Sequence, residues 1–581
     1  MINDPDFIHA VALDDLREKE VIVISGADRP IAIFWNGGKV LAVDNRCPHL
    51  GFPLNQGTVK DGILTCHWHH ARFDLSSGCA FDLFADDVPA YQVKVDENEI
   101  YIATKANEQP TKKYYLNRLT RGLEQNIALV QAKSIIGLLE SGVDYRDIIR
   151  EIALFGAANH DNWQDGMTSL SAVANLWPYI SKDTKIYALS LASRRLASNC
   201  AGMPARRERY ALEGNQNEAE QLERWFKHWV LVRHRDGSER TLLTAAIKSP
   251  NSPIINDLVF GTITDRIFSA TGHTLDFANK SFEILNTIGW DHLEKILPTL
   301  VSGISSARGE EESSSWRNPI DLIPEIRKIE EELYEYNIEP KKKAEVPNGL
   351  NGILLGDNPN IILDTLKDIL IRGVDPTEIA KHIAYAAALH MAHFPESNDI
   401  NDWFGPLHTF TYSNAIYQTL KRSVNHNTIR GIIHGAMSVY VDRFLNIPKA
   451  KFPGEHIELE SLSTDPDELL ESIFENLDKR QSWDTVTAPA SRYIRLHHPV
   501  DRLIDTLAKA TLREDLDFHK LQCLEAGVQQ AQLWAGQPQE EHIYVAVTRH
   551  LAAHCPTRRA ESQMTRTAIR LHRGESLYEE I

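Results

Sequence analysis

Two short segments near the amino end of the chain each combine a cysteine with a histidine. The first reads C-P-H from Cys47 to His49, the second reads C-H-W-H from Cys66 to His69, and sixteen residues separate them. Thiolate and imidazole groups are both good metal ligands, and four of them can share one centre only if the two segments meet in space. The spacing therefore predicts a small domain in which two loops face each other.

The presence of one cysteine and one histidine in each segment indicates a binuclear iron centre. In a Rieske [2Fe-2S] cluster, two imidazoles replace two thiolates on one of the two irons. We therefore expect Cys47 and Cys66 to bind one iron as thiolates, and His49 and His69 to bind the other as neutral imidazoles. Tetrahedral zinc is the alternative, although zinc motifs more often pair C-x-x-C with H-x-x-x-H.

The residues around these segments extend the pattern. Short alternating stretches precede the first segment and are joined by an Asn-Gly-Gly turn at residues 36–38, as in a small antiparallel sandwich. Residues from about 7 to 102 resemble a Rieske ferredoxin or the Rieske domain of an oxygenase system. Phe52 and Trp68 stand where the cytochrome-complex Rieske proteins have two further cysteines, so the resemblance favours the ferredoxin or oxygenase subtype.

Three more side chains near the two segments need an assignment. His67 and His70 stand where the ferredoxin subtype usually has Pro and Gly. They are either exposed loop residues or titratable groups that modulate proton-coupled electron transfer near neutral pH. We expect Cys79 to be a buried apolar thiol and not a fifth ligand.

Length, cysteine content and charge limit the class of protein. A chain of 581 residues exceeds what one hydrophobic core serves, so we expect two or three domains. Six cysteines, two of them assigned to iron, and an amino end without a signal-peptide pattern predict a cytoplasmic protein. No apolar run approaches the ~18 residues of a membrane span. The formal net charge of −18 argues against a nucleic-acid partner.

The composition and the spacing of apolar residues change after residue 102. A polar stretch, K-A-N-E-Q-P-T-K-K, reads as a linker, and apolar residues then recur at helical spacing, with polar breaks at 305–315 and 339–352. We therefore predict a small all-β Rieske sandwich followed by a large all-α domain. The expected boundaries are 1–105 for the Rieske domain, 106–118 for the linker, and 119–345 and 346–581 for two helical halves.

A weak internal repeat relates these two halves. The stretch L-L-E-S-G-V-D ending at Asp144 is similar to L-I-R-G-V-D ending at Asp375, and the surroundings of Trp163 are similar to those of Trp403. One interpretation is a pair of related helical halves with a cleft between them. The other is that helices with glycine ends simply look alike.

Histidines of the second half form a candidate catalytic or metal site. His390 and His393 are three residues apart in a predicted helix, so both project from one face, and His408 could add a third imidazole. Three imidazoles with a carboxylate or water suffice for a mononuclear metal. His434 is a further candidate, and those of lower rank are His160, His550 and His554. The alternative is that these rings are hydrogen-bonded core or surface residues.

The reaction is less constrained than the cofactor. The D-x-x-H-x-x-x-x-H iron motif of Rieske ring-hydroxylating oxygenases is missing, and no G-x-G-x-x-G follows a predicted strand, so electrons should come from a separate reductase or ferredoxin. The stretch G-P-L-H-T-F-T-Y around His408 resembles questin-oxidase-like proteins, helical Baeyer–Villiger-type oxygenases. That resemblance implies oxygen-dependent chemistry on a small-molecule substrate. A non-catalytic electron-transfer or redox-sensing protein, whose helical domain docks a partner, is the competing function.

Overall fold

Two compact units make up the chain. The computed structural model describes residues 6–26, 29–107, 111–213, 218–248, 253–480, 483–515, 517–575 and 577. The first unit combines residues 1–148 with residues 563–581, and the second unit runs from residue 149 to residue 562. The two ends of the chain therefore belong to the same unit.

The β part of the first unit consists of two antiparallel sheets. A six-stranded sheet has the order β1-β9-β8-β4-β3-β2, and a smaller one has the order β5-β6-β7. In the described part of the chain the strands are β1 (Phe7–Ala12), β2 (Val21–Ser25), β3 (Pro30–Asn36), β4 (Lys39–Asp44), β5 (Thr58–Lys60), β6 (Ile63–Thr65), β7 (Arg72–Asp74), β8 (Ala90–Asp96) and β9 (Glu99–Ala106). This arrangement confirms the predicted all-β amino-terminal domain.

The strand pattern of this domain follows from turn chemistry and alternation. Gly37 and Gly38 join β3 to β4 in a two-residue turn, and both have positive φ, +57° and +82°, as the favoured hairpin turn requires. Strand β3 is buried on both faces: Ile31 and Ile33 pack in one core, and Ala32 and Phe34 pack in the other. The second of these cores also contains Cys47 and Cys66, the two cysteines predicted as ligands.

Helices extend the first unit beyond the sheets. They are α1 (Leu13–Lys19), α2 (Lys112–Glu124), α3 (Ala128–Glu140), the start of α4 (Tyr145–Asn159) and α24 (Gln563–His572). The stretch 106–118 that we expected to be a linker therefore holds the first turns of α2. Thr111 caps this helix, because its hydroxyl oxygen accepts a hydrogen bond from the Tyr114 N–H at 3.2 Å.

In its described residues the second unit contains helices joined by turns and loops and no β-strand, which confirms the predicted all-α region. Residues on both sides of position 345 belong to this one unit, so a division into halves there stays a prediction. No described helix combines the length and the apolar character needed to cross a membrane. Beyond the rest of α4, the helices are α5 (Asp165–Leu176), α6 (Lys182–Cys200), α7 (Ala219–Leu231), α8 (Arg235–Lys248), α9 (Pro253–Ile263), α10 (His273–Ile288), α11 (Leu293–Ile296), α12 (Val301–Ser306), α13 (Ile323–Tyr334), α14 (Leu350–Leu354), α15 (Pro359–Arg372), α16 (Pro376–Ala392), α17 (Phe404–Arg422), α18 (His426–Asp442), α19 (Pro466–Asn476), α20 (Trp483–Arg495), α21 (Val500–Arg513), α22 (Phe518–Gln532) and α23 (Pro538–His554).

The two copies of the weak repeat have the same local structure. A helix ends just before Gly142 in the first copy and before Gly373 in the second, and both glycines have positive φ, +73° and +87°. Two residues later, Asp144 and Asp375 begin the next helix, and each carboxylate accepts a backbone N–H two residues on, at 2.8 and 2.9 Å. The similarity is one of helix ends, which both interpretations of the repeat allow.

Candidate redox and metal centres

The first ligand loop lies between β4 and the turn that leads to β5. The Cys47 N–H donates to the Phe52 carbonyl at 2.8 Å, and the Cys47 carbonyl accepts the Gly51 N–H at 2.7 Å. Gly51 has a φ of +88°, a conformation that glycine adopts without steric cost. These two bonds close the loop tightly on Cys47 and His49.

The second ligand loop, between β6 and β7, repeats this geometry. The Cys66 N–H donates to the Ala71 carbonyl at 2.8 Å, and the Cys66 carbonyl accepts the His70 N–H at 3.0 Å. His70 occupies the position that Gly51 has in the first loop, and it too has a positive φ, +60°. The structure therefore gives a physical reason for a glycine here, and His70 is exposed in its place.

Both cysteine sulfurs are buried and receive backbone hydrogen bonds. Cys47 and Cys66 are 2% and 1% exposed, and the two thiols lie within hydrogen-bond distance of each other. The hydrogen bond from Cys47, with the N–H groups of Trp68 and His69, lowers the pKa of the Cys66 thiol to about 6 against the effect of burial. The contact with Cys66 and burial raise the pKa of Cys47, so the backbone N–H groups favour thiolate at Cys66, at a site that excludes water.

The two histidines predicted as ligands, His49 and His69, lie edge to face at the border of this core. Their ring centroids are 4.9 Å apart at an interplanar angle of 87°. His49 is half-buried, and its Nδ1 atom is buried without a hydrogen-bond partner. Burial, the His69 ring and the charge of Lys133 lower the pKa of His49 to about 4. A neutral ring with an unsatisfied nitrogen is what a metal ligand requires.

The spacing of these four side chains helps to distinguish a single zinc ion from a binuclear iron centre. Ligands of one tetrahedral zinc lie within about 4 Å of one another, because zinc–ligand bonds are ~2.0–2.3 Å long. Among the described residues, one group of three or more potential ligands has all its ligand atoms within 4.8 Å, and that group lies in the second unit. The ligand atoms of Cys47, His49, Cys66 and His69 are therefore not all within 4.8 Å of one another, which is wider than one zinc ion requires.

The remaining side chains near the loops lie closer to solvent than we expected. Cys79 is exposed, which corrects the expectation of a buried thiol. Trp68 is 40% exposed and covers the loops only in part. Its ring centroid lies 6.2 Å from that of Phe52, so two aromatic rings occupy the place of the disulfide of the other subtype. His67 is exposed and lies 3.3 Å from the Thr58 hydroxyl.

A second group of potential metal ligands lies inside the helical unit. His273 on α10, His408 on α17 and His519 on α22 have ring nitrogens within 4.8 Å of one another. Burial and the two other rings lower the pKa of His408 to about 2, so this ring is neutral. The Asp517 carboxylate lies 3.6 Å from Nδ1 of His519, on the side away from His408. A carboxylate behind a ligand histidine orients the ring.

The sequence-predicted histidines separate into different environments. Of the candidates, His408 alone belongs to the three-histidine group. His390 is buried with Nδ1 3.1 Å from the Asn446 amide nitrogen, and His434 is buried with Nε2 2.7 Å from the Glu330 carboxylate. His393 follows the last residue of α16, and its Nδ1 lies 2.8 Å from the Ala450 carbonyl oxygen. These bonds match the hydrogen-bonded alternative for the three rings.

The lower-ranked histidines also divide. His160 accepts the Asn162 N–H at 3.0 Å. His550 is fully buried, and neither of its ring nitrogens has a hydrogen-bond partner; its ring centroid lies 4.3 Å from that of His554. Sequence reasoning missed His273 and His519. More than 100 residues separate each of the three grouped histidines from the next, so no spacing rule connects them.

Comparison with known proteins assigns the amino-terminal domain. The family model of the Rieske [2Fe-2S] domain matches residues 6–92. The chain is 28% identical over 98 residues to the ferredoxin component of the naphthalene 1,2-dioxygenase/salicylate 5-hydroxylase systems of Ralstonia sp, which covers 17% of this chain and 94% of that protein. It is 33% identical over 88 residues to human apoptosis-inducing factor 3, which covers 13% of this chain and 14% of that protein.

A solved structure completes the comparison. The ferredoxin of carbazole 1,9a-dioxygenase from Nocardioides aromaticivorans IC177 is 27% identical, with a TM-score of 0.16, over 17% of this chain and 96% of that one. On the family model and the ferredoxin relative, this chain carries a Rieske [2Fe-2S] domain of the kind found in oxygenase-system ferredoxins, which confirms the predicted cofactor. The family match ends at residue 92, so the helices from α2 onward lie outside it.

Proposed function

We propose that Cys47, Cys66, His49 and His69 hold the [2Fe-2S] cluster of this domain and that the domain relays single electrons. The observation that supports this most is the pair of matching loops, which brings two buried sulfurs and two facing imidazoles together. When bound, a Rieske cluster takes up one electron at a time at a potential well above that of a four-cysteine cluster.

The exposure of the side chains around the site supports one place for this electron transfer. The two cysteines lie in the hydrophobic core, so water reaches neither sulfur. His69 is exposed, whereas His49 is half-buried against Phe84, with ring centroids 5.0 Å apart. The His69 edge is therefore the place where an electron donor, a reductase or another ferredoxin, would approach. Electron tunnelling falls steeply with distance, so docking at this edge controls the rate.

Replacing one imidazole tests the assignment. In His69→Cys the ligand set becomes three thiolates and one imidazole, and we expect the potential to fall by on the order of a few hundred millivolts, with an absorption spectrum nearer that of plant-type ferredoxins. His70→Asn is the matched control. Position 70 is exposed, lies next to His69 and has a positive φ, which asparagine tolerates. An unchanged potential in His69→Cys contradicts the proposed ligation.

For the helical unit we propose a mononuclear transition-metal site at His273, His408 and His519. Three neutral imidazoles with remaining open positions are a ligand set of catalytic metal centres. The convergence of three helices on one point supports this site over one built from His390, His393 and His408. We propose that the chain is an oxidoreductase in which electrons from the Rieske domain serve oxygen-dependent chemistry on a small-molecule substrate at this metal.

A metal count distinguishes this function from a purely electron-relaying or docking role. Protein purified without oxygen should contain two irons and two sulfides in the cluster and a third metal. The double variant His273→Asn, His519→Asn should lose the third metal and keep the cluster spectrum. His393→Gln is the control, because this ring is bonded to Ala450 and should leave the third metal in place. Wild-type protein without a third metal would support the non-catalytic function, and oxygen uptake with an added reductase would then be missing as well.

A further inference from the structure

A lysine from outside the Rieske domain lies against the first ligand loop. Lys133 belongs to α3, beyond the family match at residues 6–92, and its side chain is only 15% exposed. Its ammonium group donates to the carbonyl oxygen of Pro48, the residue between Cys47 and His49, and to the Asp86 carboxylate at 2.9 Å. One side chain of the helical extension therefore both holds the loop and places a charge next to it.

The charges at this point do not cancel. Asp86 also accepts a hydrogen bond from the Arg118 guanidinium of α2, whose side chain is 9% exposed. Two cations share one carboxylate, so the cluster of Lys133, Arg118 and Asp86 carries a net charge of about +1, and its Lys133 end lies against the first loop. Poor solvent exposure means that water and salt screen this charge less than a surface charge. The Lys133 ammonium is the cation of this cluster that contacts the loop itself, because it donates to the carbonyl of Pro48, the residue next to His49.

We infer that Lys133 is a positioning residue of the redox site, which fixes the first ligand loop and makes reduction of the site more favourable. The inference rests on the proposed ligation by His49. Reduction adds one electron, and therefore one negative charge, to the site. A nearby net positive charge stabilises that added charge by Coulomb attraction, which raises the reduction potential. Helices α2 and α3 thus adjust the potential of the domain, and a chain that ended at residue 106 would lack this contribution.

Opposite substitutions separate the effect of charge from the effect of loop support. We would titrate the full-length protein anaerobically against dithionite with redox dyes and follow the reduced signal by electron paramagnetic resonance. Lys133→Met removes a positive charge and should lower the midpoint potential. Asp86→Asn removes the negative charge and should raise it. Lys133→Arg keeps the charge and should stay near the wild-type potential. Iron and sulfide content shows in each case that the site is loaded.

Two further variants keep the test decisive if Lys133→Met assembles poorly. Arg118→Met removes the same charge without touching Pro48 and should also lower the potential. Arg121→Met, on the same helix but exposed, should leave it unchanged. Shifts of the same sign in Arg118→Met and Asp86→Asn, or no shift in either, would overturn the inference. The His69→Cys experiment fails separately, because it reports on the ligands and not on the charge beside them.

Discussion

His408 Nε2 lies 3.1 Å from His519 Nε2, although 111 residues separate the two histidines in the sequence. Two imidazole nitrogens bound to one tetrahedral metal lie about 3.3 Å apart, given metal–nitrogen bonds of ~2.0 Å. The observed separation therefore suits a shared ion as well as it suits a shared proton. The third ring, His273, has its centroid 4.3 Å from that of His408, and this third nitrogen is the reason why we propose a metal at the group.

A buried ion cluster two to three turns along the same helices should stabilise the helical unit. The Lys280 ammonium on α10 donates to Glu283 at 2.9 Å and to Glu525 of α22 at 2.5 Å, and all three side chains are at most 8% exposed. We expect Lys280→Met to destabilise the unit by about 3–5 kcal/mol, because it removes the ammonium partner that the two buried carboxylates share. Denaturation followed by helical circular dichroism measures this loss.

The partner substitution serves as the control. Burial raises the pKa of Glu525 to about 7, so this carboxyl is the easier one to neutralise. The double variant Lys280→Met, Glu525→Gln should regain part of the lost stability, and a double-mutant cycle gives the coupling. Strictly additive losses would mean that the two groups do not stabilise each other.

Two glycines near the ligand loops should respond differently to the same substitution. Gly78 and Gly62 have nearly equal φ values, +79° and +78°, so alanine strains the backbone equally at both, by about 1 kcal/mol. A Cβ at Gly78 would lie 1.9 Å from the Val88 carbonyl oxygen, whereas nothing lies within 4 Å of a Cβ at Gly62. Gly78→Ala should therefore cost about 1–3 kcal/mol more than Gly62→Ala.

Thermal unfolding of the loaded protein, followed by loss of the visible absorbance, compares these variants. We expect Gly62→Ala to keep the cluster to nearly the wild-type temperature and Gly78→Ala to release it several degrees lower. Equal melting temperatures would show that the backbone around Val88 moves without cost.

Acid should weaken the helical unit through its buried histidines, of which His390 is a clear case. Burial, with a smaller effect of the Lys449 charge, lowers the pKa of His390 to about 4, below the value of ~6.5 for an unfolded chain. The unfolded state then binds more protons between these values, so the stabilisation is complete above pH 6.5 and is lost as the pH falls towards 4. Between pH 7 and pH 5 one such ring lowers the free energy of unfolding by about 2 kcal/mol.

Denaturation of wild type and His390→Gln across this range measures that contribution. The decline in stability from pH 7 to pH 5 should be smaller in the variant by about 2 kcal/mol. Between pH 8 and pH 7 the two proteins should run parallel, because His390 is then neutral in both states. A parallel decline down to pH 5 would mean that the folded ring takes up a proton freely.

The amino-terminal domain was largely predictable because its determinants are local. Ligands and turn residues of a β-hairpin loop lie within a few positions of one another along the chain. The pair Cys47 and His49 therefore predicts a ligand loop, and the pair Gly37 and Gly38 predicts a hairpin turn. The helical site was not predictable in this way. His390 and His393 look like neighbours on one helix, but α16 ends at Ala392 and turns the second ring towards Ala450.

Short-range patterns in the chain thus determine a Rieske sandwich and a long helical remainder, and they predict the ligands of the cluster. Tertiary packing decides which histidines meet, because His273, His408 and His519 stand on three helices whose contact depends on the fit of whole faces. It also decides that α2, α3 and the carboxyl-terminal helix α24 belong with the sandwich, and that Lys133 reaches a loop 85 residues earlier. Contacts of this kind arise from the sum of many weak packing terms, and no spacing along the chain records them.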